Sequence, residues 1–553
     1  MTDPAPQIVS IERALSLHRA GHRDQAETAY RALLAATPDY ADAWHFLAVL
    51  LQETGRRDEA SAAVTQAIAR NPTDPFYRLT DGTLALGEGK LDAAIESFRT
   101  ALALKPDFAA AATNLGLALQ RAGKSDEAEA AQRQALALEP GNTLARYNLG
   151  QLQHRRGRLA DAIATYDIVL QSDPRHLAAH LNRALALRQS GRFDDAIEAY
   201  RTAIDLSPTG VDGWLGLGLA RNDKGDLDGA IDSFRAAIAQ APDRAEAHLN
   251  LGLALLTRGR FAEAWPHYAR RWQAPPLLNH RRPFTAPEWD GSALGSRRLL
   301  VHAEQGLGDT IQFAQLLPKL GADRAQLILE MPALLIPLMR PLESCATLVA
   351  KGATLPPFDC HLPLMDLPQR LGITEATIPN LTGLLAAEPQ RLAHWRAWIA
   401  GLSVPPARRR IALCWRGSDD NPENDRRSIP PALLAPLFAL PGFSFISLQK
   451  NAASPHPAVI VPAEPFDPKG AAFLDSAAIL SLVDAAITVD TSIAHLAGSL
   501  GCRTLNLLPF VADWRWGADR SDCPWYPTMR LIRQKAPGDW ASVVRTLVAE
   551  LGA

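Results

Sequence analysis

Hydrophobic and polar positions in the first half of the chain recur with a period of 34 residues. Each period holds two apolar runs at helical spacing, separated by a glycine and closed by a proline. The glycines are Gly21, Gly55, Gly89, Gly123, Gly157, Gly191, Gly225 and Gly259. An alanine follows each by five residues, from Ala26 to Ala264, and prolines from Pro38 to Pro276 end the periods. The pattern predicts eight helical hairpins. In the seventh, Gly218 and Ala230 sit where the two helices touch, Phe234 fills the adjoining space, Gly225 turns the chain and Pro242 ends the second helix. Each hairpin leaves an apolar face that only its neighbour can cover, so the hairpins stack into a superhelix with a concave groove.

Past Pro276 the period stops and short apolar runs alternate with amphipathic ones. Residues 297–303 predict a strand, Gly306-Leu307-Gly308-Asp309-Thr310 a turn, and the stretch through Leu320 a helix. A strand at 325–330, a helix at 332–339 and a helix at 388–402 follow, and Pro405-Pro406 punctuates the chain. A second series has strands at 411–415, 443–448, 486–489 and 504–508. Its helices fall at 477–485, from Asp490-Thr491-Ser492 through Leu500, and at 540–551, the last able to return across both series. Two such series imply two parallel-sheet lobes facing a cleft. The expected domains are 1–279, 280–402 and 403–553.

A net charge of -2 gives no electrostatic reason to expect nucleic acid or an anionic membrane as partner. No apolar stretch reaches the roughly 18 residues of a membrane helix, and the N-terminus shows no secretory signal. The five cysteines are scattered without metal-ligand spacing, as in a reduced compartment. A soluble, cytoplasmic protein with no membrane span is expected.

Several polar groups carry candidate chemistry, each with a plainer alternative. Asp490-Thr491-Ser492 at a strand end and helix start suits a phosphate, or is simply an N-cap. His495, one turn further, can reach the same anion or pack in the core. Gly306, Gly308 and Asp309 form a loop facing the cleft, or a glycine turn capped by an aspartate. Arg416, Arg426, Arg427 and Lys450 lie at strand ends or loops, where one or two can stabilise a departing phosphate; Arg416, Arg427 and Lys450 are the stronger candidates, with Gln449 beside them. No DxD-like acidic pair marks a metal, so neither metal nor cofactor is expected. Asp513-Trp514-Arg515-Trp516 and Pro524-Trp525-Tyr526-Pro527 form aromatic loops that wall a site or pack a lobe. Asn114, Asn148, Asn182 and Asn250 share the sixth position of their hairpins, interrupted by Gly216; they suit an extended peptide backbone, or stitch neighbouring helices.

Four segments together carry a resemblance: Glu304-Gln305-Gly306-Leu307-Gly308-Asp309-Thr310, Ser447-Leu448-Gln449-Lys450, the run from Asp490 to Gly498, and Asp513-Trp514-Arg515-Trp516. Through them residues 298–551 resemble bacterial glycosyltransferase domains joined to tetratricopeptide repeats, distant relatives of the lipopolysaccharide heptosyltransferases. The hairpin array resembles that of the eukaryotic O-GlcNAc transferase, whose asparagine ladder holds acceptor polypeptides; Asn114, Asn148, Asn182 and Asn250 match it, while Phe46 and Thr80 depart from it. The resemblance implies an all-α tetratricopeptide superhelix followed by an α/β GT-B domain of two Rossmann-like lobes. It implies an inverting, metal-independent glycosyltransferase that uses a nucleotide-sugar, with a polypeptide Ser or Thr hydroxyl as acceptor and flagellin as one setting. It makes Asp309 the catalytic base, with Glu304 and His302 in reserve. It also assigns the donor to Gly306, Gly308, Arg416, Arg427, Gln449, Lys450, Asp490, Thr491, Ser492 and His495. Two rival expectations are a lipopolysaccharide or polysaccharide acceptor and a non-catalytic repeat scaffold.

Overall fold

The computed structural model describes residues 10–552 except 276, 279, 403–407, 419–423, 451–453, 463–465 and 469–471. Pro276, Pro405 and Pro406 therefore lie outside the described residues. The chain divides into two compact units, Met1–Gly216 and Leu217–Ala553.

The first unit is built of helical hairpins, beginning with Ile11–Arg19 and Arg23–Ala36 and continuing through Leu177–Gln189 and Phe193–Leu206. Every period glycine from Gly21 to Gly191 has φ between 72° and 79°, a left-handed conformation that a side chain would strain. The predicted small-against-large packing recurs. A Cβ on Gly82 would lie 2.6 Å from the Phe98 ring, and one on Gly150 would lie 2.6 Å from Tyr166. In the fourth hairpin a buried glutamine, Gln132, takes the place of the ring and packs against Gly116.

The second unit opens with the last hairpins, Leu227–Gln240 after the turn at Gly225, then Ala245–Thr257 and Phe261–Tyr268. Here too a Cβ on Gly218 would meet Phe234, at 2.4 Å. The final helix is short and holds Pro266, which supplies no N–H; it passes into a 3-10 turn, Ala269–Gln273.

Two wholly parallel sheets follow. Strands β1 (Leu299–His302), β2 (Leu327–Met331), β3 (Thr347–Ala350) and β4 (Cys360–Pro363) form one in the order β3-β2-β1-β4. Strands β5 (Arg409–Cys414), β6 (Phe443–Ser447), β7 (Val459–Ile460), β8 (Ala485–Val489), β9 (Thr504–Leu508) and β10 (Met529–Arg533) form the other in the order β10-β9-β8-β5-β6-β7. Strands β3, β4, β7 and β10 have no counterpart in the sequence reading. The expected 332–339 helix is a 3-10 turn and a single helical turn, since Pro337 falls at its start. The expected 477–485 helix is Leu474–Leu480, and Ala485 already belongs to β8. The C-terminal helix Trp540–Gly552 packs on the second sheet, with Val543, Val544 and Leu547 against Ile411, Ile487, Leu505 and Ile532 in one apolar core.

Candidate functional site

The β1 end leads through Gly306 into the helix Leu307–Ala314, and the β8 end leads through Asp490 and Thr491 into the helix Ser492–Ser499. These two junctions meet. A Cβ on Gly308 would lie 2.8 Å from His495 Cδ2 and 3.4 Å from Ser492, so only a glycine allows the approach. Gln315 Nε2 donates to Ser499 Oγ at 2.6 Å at the far ends of the same pair of helices.

Asp309 sits at this junction, half-buried, with both carboxylate oxygens engaged. Oδ2 accepts from the Gly306 N–H at 2.9 Å, and Oδ1 pairs with Arg515 Nη2 at 2.7 Å. Burial pushes its carboxyl up, Arg515 opposes the rise, Asp513 adds to it and the Gly306 N–H opposes it. Arg515 is itself buried. Its Nε donates to Gln312 Oε1 at 3.0 Å and its Nη1 pairs with Asp513 Oδ1 at 2.8 Å.

Asp490 belongs to the same cluster. Burial, then Asp513, pushes its carboxyl up to about 6, against Trp516, Arg427 and Arg515. Thr491 is a true N-cap, its hydroxyl accepting from the Ile493 N–H at 3.3 Å. His495 is buried, stacked on Trp516 at 5.1 Å between centroids, with Nδ1 3.2 Å from the Tyr526 hydroxyl. Burial brings its pKa down to about 3, with Arg515 acting in the same direction and Asp513 against it. The imidazole is therefore neutral near pH 7 and brings hydrogen-bonding capacity without charge.

The other candidates gather at the β5 and β6 ends. Gln449 Oε1 accepts from the Arg416 backbone N–H at 3.0 Å, so it shapes the loop after β5. Arg416 is exposed. The Arg427 guanidinium lies on Gly417, where a Cβ would meet Nη2 at 2.8 Å, and it lies within electrostatic reach of Asp490. Lys450 Nζ donates to the Asp467 carbonyl. The reserve bases are held elsewhere. His302 faces His361 at 3.3 Å, and burial brings its pKa down to about 3. Glu304 pairs with buried Arg271 at 3.1 Å and accepts from the Leu364 and Met365 N–H groups.

Among the ladder asparagines, Asn182 Nδ2 donates to the Tyr147 hydroxyl of the preceding hairpin at 2.8 Å, and Asn250 Nδ2 to its own helix at the Glu246 carbonyl. Asn148 is buried with Nδ2 unpartnered, and Asn114 is half-buried. Asn114, Asn148 and Asn182 belong to the first unit and Asn250 to the second.

Sequence reasoning missed Arg515 as a site residue. The available signal was its position as a lone cation inside an aromatic loop. It also missed Tyr526 as the partner of His495, and Arg533, which donates to the Gly517 carbonyl at 2.7 Å near Asp490. Among the described residues no group of three His, Cys, Asp or Glu side chains is placed to hold a metal, and no helix is long and apolar enough to cross a membrane.

Family models of the tetratricopeptide repeat match residues 17–79, 79–143, 113–176, 147–211, 181–245 and 215–276. The chain is 29% identical over 315 residues to Protein FlbA of Caulobacter vibrioides, covering 52% of this chain and 51% of that protein. It thus spans about half the length of the curated relative it matches. Among solved structures it is similar to YrrB, described as a TPR protein with an unusual peptide-binding site, at 21% identity and a TM-score of 0.31, covering 34% of this chain and 96% of that one. It is also similar to the type IV pilus biogenesis factor PilW, at 23% identity and a TM-score of 0.36, covering 38% and 98%. Residues 17–276 are tetratricopeptide repeats, a module that commonly binds peptides or protein partners, followed by a region of parallel sheets.

Proposed function

We propose that the two parallel-sheet regions, 280–402 and 403–553, are the lobes of a GT-B glycosyltransferase. It moves a sugar from a nucleotide-sugar to a Ser or Thr hydroxyl of a polypeptide engaged by the repeats in 1–279. The supporting observation is the meeting of the Gly306–Asp309 turn with the Ser492–His495 helix start at the carboxyl ends of two parallel sheets, where ligands of α/β folds bind. In this reading Asp309 takes the proton of the acceptor hydroxyl as its oxygen attacks the anomeric carbon. The bond from that carbon to the phosphate oxygen breaks with inversion. The departing nucleotide carries negative charge, which Arg427, Arg416 and the N–H groups at the start of the 492–499 helix stabilise. His495 acts as a neutral hydrogen-bond partner. Neither a metal nor a cofactor is needed for these steps.

Intact-mass measurement of polypeptides co-expressed with the chain, flagellin among them, tests the reading. A sugar-sized gain that disappears with Asp309→Asn is the expected result. A gain confined to lipopolysaccharide or polysaccharide removes the polypeptide acceptor. A second reading, a repeat scaffold without catalysis, is favoured by one observation: both Asp309 oxygens already make structural contacts. Absence of any gain, with no nucleotide-sugar binding by calorimetry, decides for the scaffold.

A further inference from the structure

Arg515 and its neighbour Trp514 stand between two parts of the second unit. On one side, Arg515 holds Asp309 and Gln312 of the 307–314 helix. On the other, the Trp514 ring lies in an aromatic cluster supplied by the last repeat: Phe261 at 6.0 Å, Trp265 at 5.9 Å and Tyr268 at 6.5 Å between centroids. Phe313, from the same helix as Gln312, stacks on Trp514 at 6.1 Å and 20°. The arginine is packed as well as paired, since its guanidinium carbon lies beside this ring pair, 5.2 Å from the Phe313 ring centroid and 4.6 Å from that of Trp514. The repeat side is anchored independently. Trp265 Nε1 donates to the Ile373 carbonyl at 2.9 Å, and Arg258 pairs with Asp519 at 2.6 Å.

We propose that Trp514 and Arg515 are positioning residues that tie the Asp309 carboxylate to the last tetratricopeptide repeat: Arg515 fixes the carboxylate, and Trp514 seats Arg515 on the aromatic face of that repeat. The inference deepens the proposed function and rests on it only where it treats Asp309 as the reacting group; the contact chain stands apart from the chemistry. A long arginine has many rotamers, and packing it against two rings while it makes three polar contacts removes that freedom. Anything that shifts the last repeat moves the Trp514 seat and with it the pairing at Asp309. The groups facing Asp309 are Arg515 and Asp513 from the 513–516 turn, Tyr526 from the following loop and the Gly306 N–H from its own turn, while His495 faces the adjacent Gly308. Of these, Arg515 is the one cation in hydrogen-bond contact with it.

The test is an infrared titration of carboxyl protonation in the full chain, with Asp309→Asn as the subtraction blank. Arg515→Gln removes the opposite charge, so the Asp309 titration is expected to move to higher pH, by about one pH unit or more. Arg515→Lys keeps a charge, is expected to fold as the parent does, and should restore most of the difference. Trp514→Phe leaves Arg515 in place but loosens its seat, and should move the titration in the same direction by less. An Asp309 titration unchanged in Arg515→Gln overturns the positioning role. If Arg515→Gln does not fold, Arg515→Lys decides: an Asp309 titration displaced as far as full loss of the charge would displace it sinks the proposal. A titration that moves with Arg515→Gln but not with Trp514→Phe removes the link to the repeat. Sugar transfer, measured in parallel, separates the two claims. Titrations that move as expected in a chain that modifies no acceptor leave the positioning contact standing and bring down the catalytic reading.

Discussion

Replacing Arg271 with methionine should cost the second unit about 3–5 kcal/mol near neutral pH, the range for removing one partner of a buried ion pair. Arg271 is fully buried, and its guanidinium bridges Asp366 and Glu304, whose side chains are 6 % and 8 % exposed. The Tyr268 and Trp272 rings pack against it, with centroids 4.9 and 4.7 Å away. Methionine fills much of the volume but leaves two carboxylates in a dry pocket. The penalty should depend on pH, and its sign follows from Glu304. Burial pushes that carboxyl up from 4.5 to about 7, against the pull of Arg271. A folded-state value above the unfolded one means stability from this group is greatest below pH 4.5 and is lost as pH rises through 7, by about 3 kcal/mol. Without Arg271 the folded-state value climbs further, so the variant should lose more at pH 8 than at pH 5. Tryptophan fluorescence during urea unfolding reports the correct unit, because every tryptophan except Trp44 and Trp214 lies in it. The triple variant Arg271→Met, Glu304→Gln, Asp366→Asn should recover most of the loss. A penalty below about 1 kcal/mol, or one equal at both pH values, would refute the reasoning.

Gly308→Ala places a methyl 2.8 Å from a histidine ring that Trp516 and Tyr526 confine; it should lower the thermal midpoint, at about 1–3 kcal/mol, and an unchanged midpoint would mean the two helix starts are not in contact. His495 has a folded-state pKa of about 3 against an ordinary 6.5, so its stability contribution is present above pH 6.5 and lost as pH falls toward 3. His495→Gln should therefore flatten the decline of urea midpoint between pH 7 and pH 4, and a decline as steep as the parent's would count against the burial. Asn182→Ala and Tyr147→Phe should each cost about 0.5–1.5 kcal/mol and be non-additive in a double-mutant cycle if the asparagine stitches hairpins; full additivity would return Asn182 to the peptide-binding reading.

How much of this was legible in the sequence depends on whether the controlling contact is local. The hairpins were readable because their determinants recur: a left-handed glycine such as Gly55, and a small residue one helix away from a ring, as Gly82 meets Phe98. The strands β1, β5, β6, β8 and β9 were readable because a buried parallel strand is a short apolar run. The strands β3, β4, β7 and β10 were not, since Thr347–Ala350 is only half-buried, Cys360–Pro363 carries a histidine and a proline in its four residues, Val459–Ile460 is two residues long, and Met529–Arg533 carries arginines at two of its five positions. The 474–480 helix starts three residues early because Asp475 is buried and held by Arg391 and Trp395, contacts from about 80 residues away.

The site divides along the same line. Gly306, Gly308, Asp309 and the Asp490–Ser492 segment lie at strand-to-helix turns, which sequence marks by glycine and by capping residues, and their meeting needed only the alternation of strands and helices. Arg515 reaches Asp309 across about 200 residues, and Arg271 reaches Asp366 and Glu304 from the tail of the last repeat. No periodicity announces such a partner. Both arginines lie beside aromatic residues, Trp514 and Trp516 for one and Tyr268 and Trp272 for the other. A guanidinium can be desolvated there because ring faces replace part of its hydration while carboxylates neutralise it. In a chain with a net charge of -2, an arginine set next to large aromatics is thus a better sign of a buried ionic junction than a basic run such as Arg408-Arg409-Arg410, of which Arg408 and Arg409 are exposed and Arg410 half-buried at the start of β5.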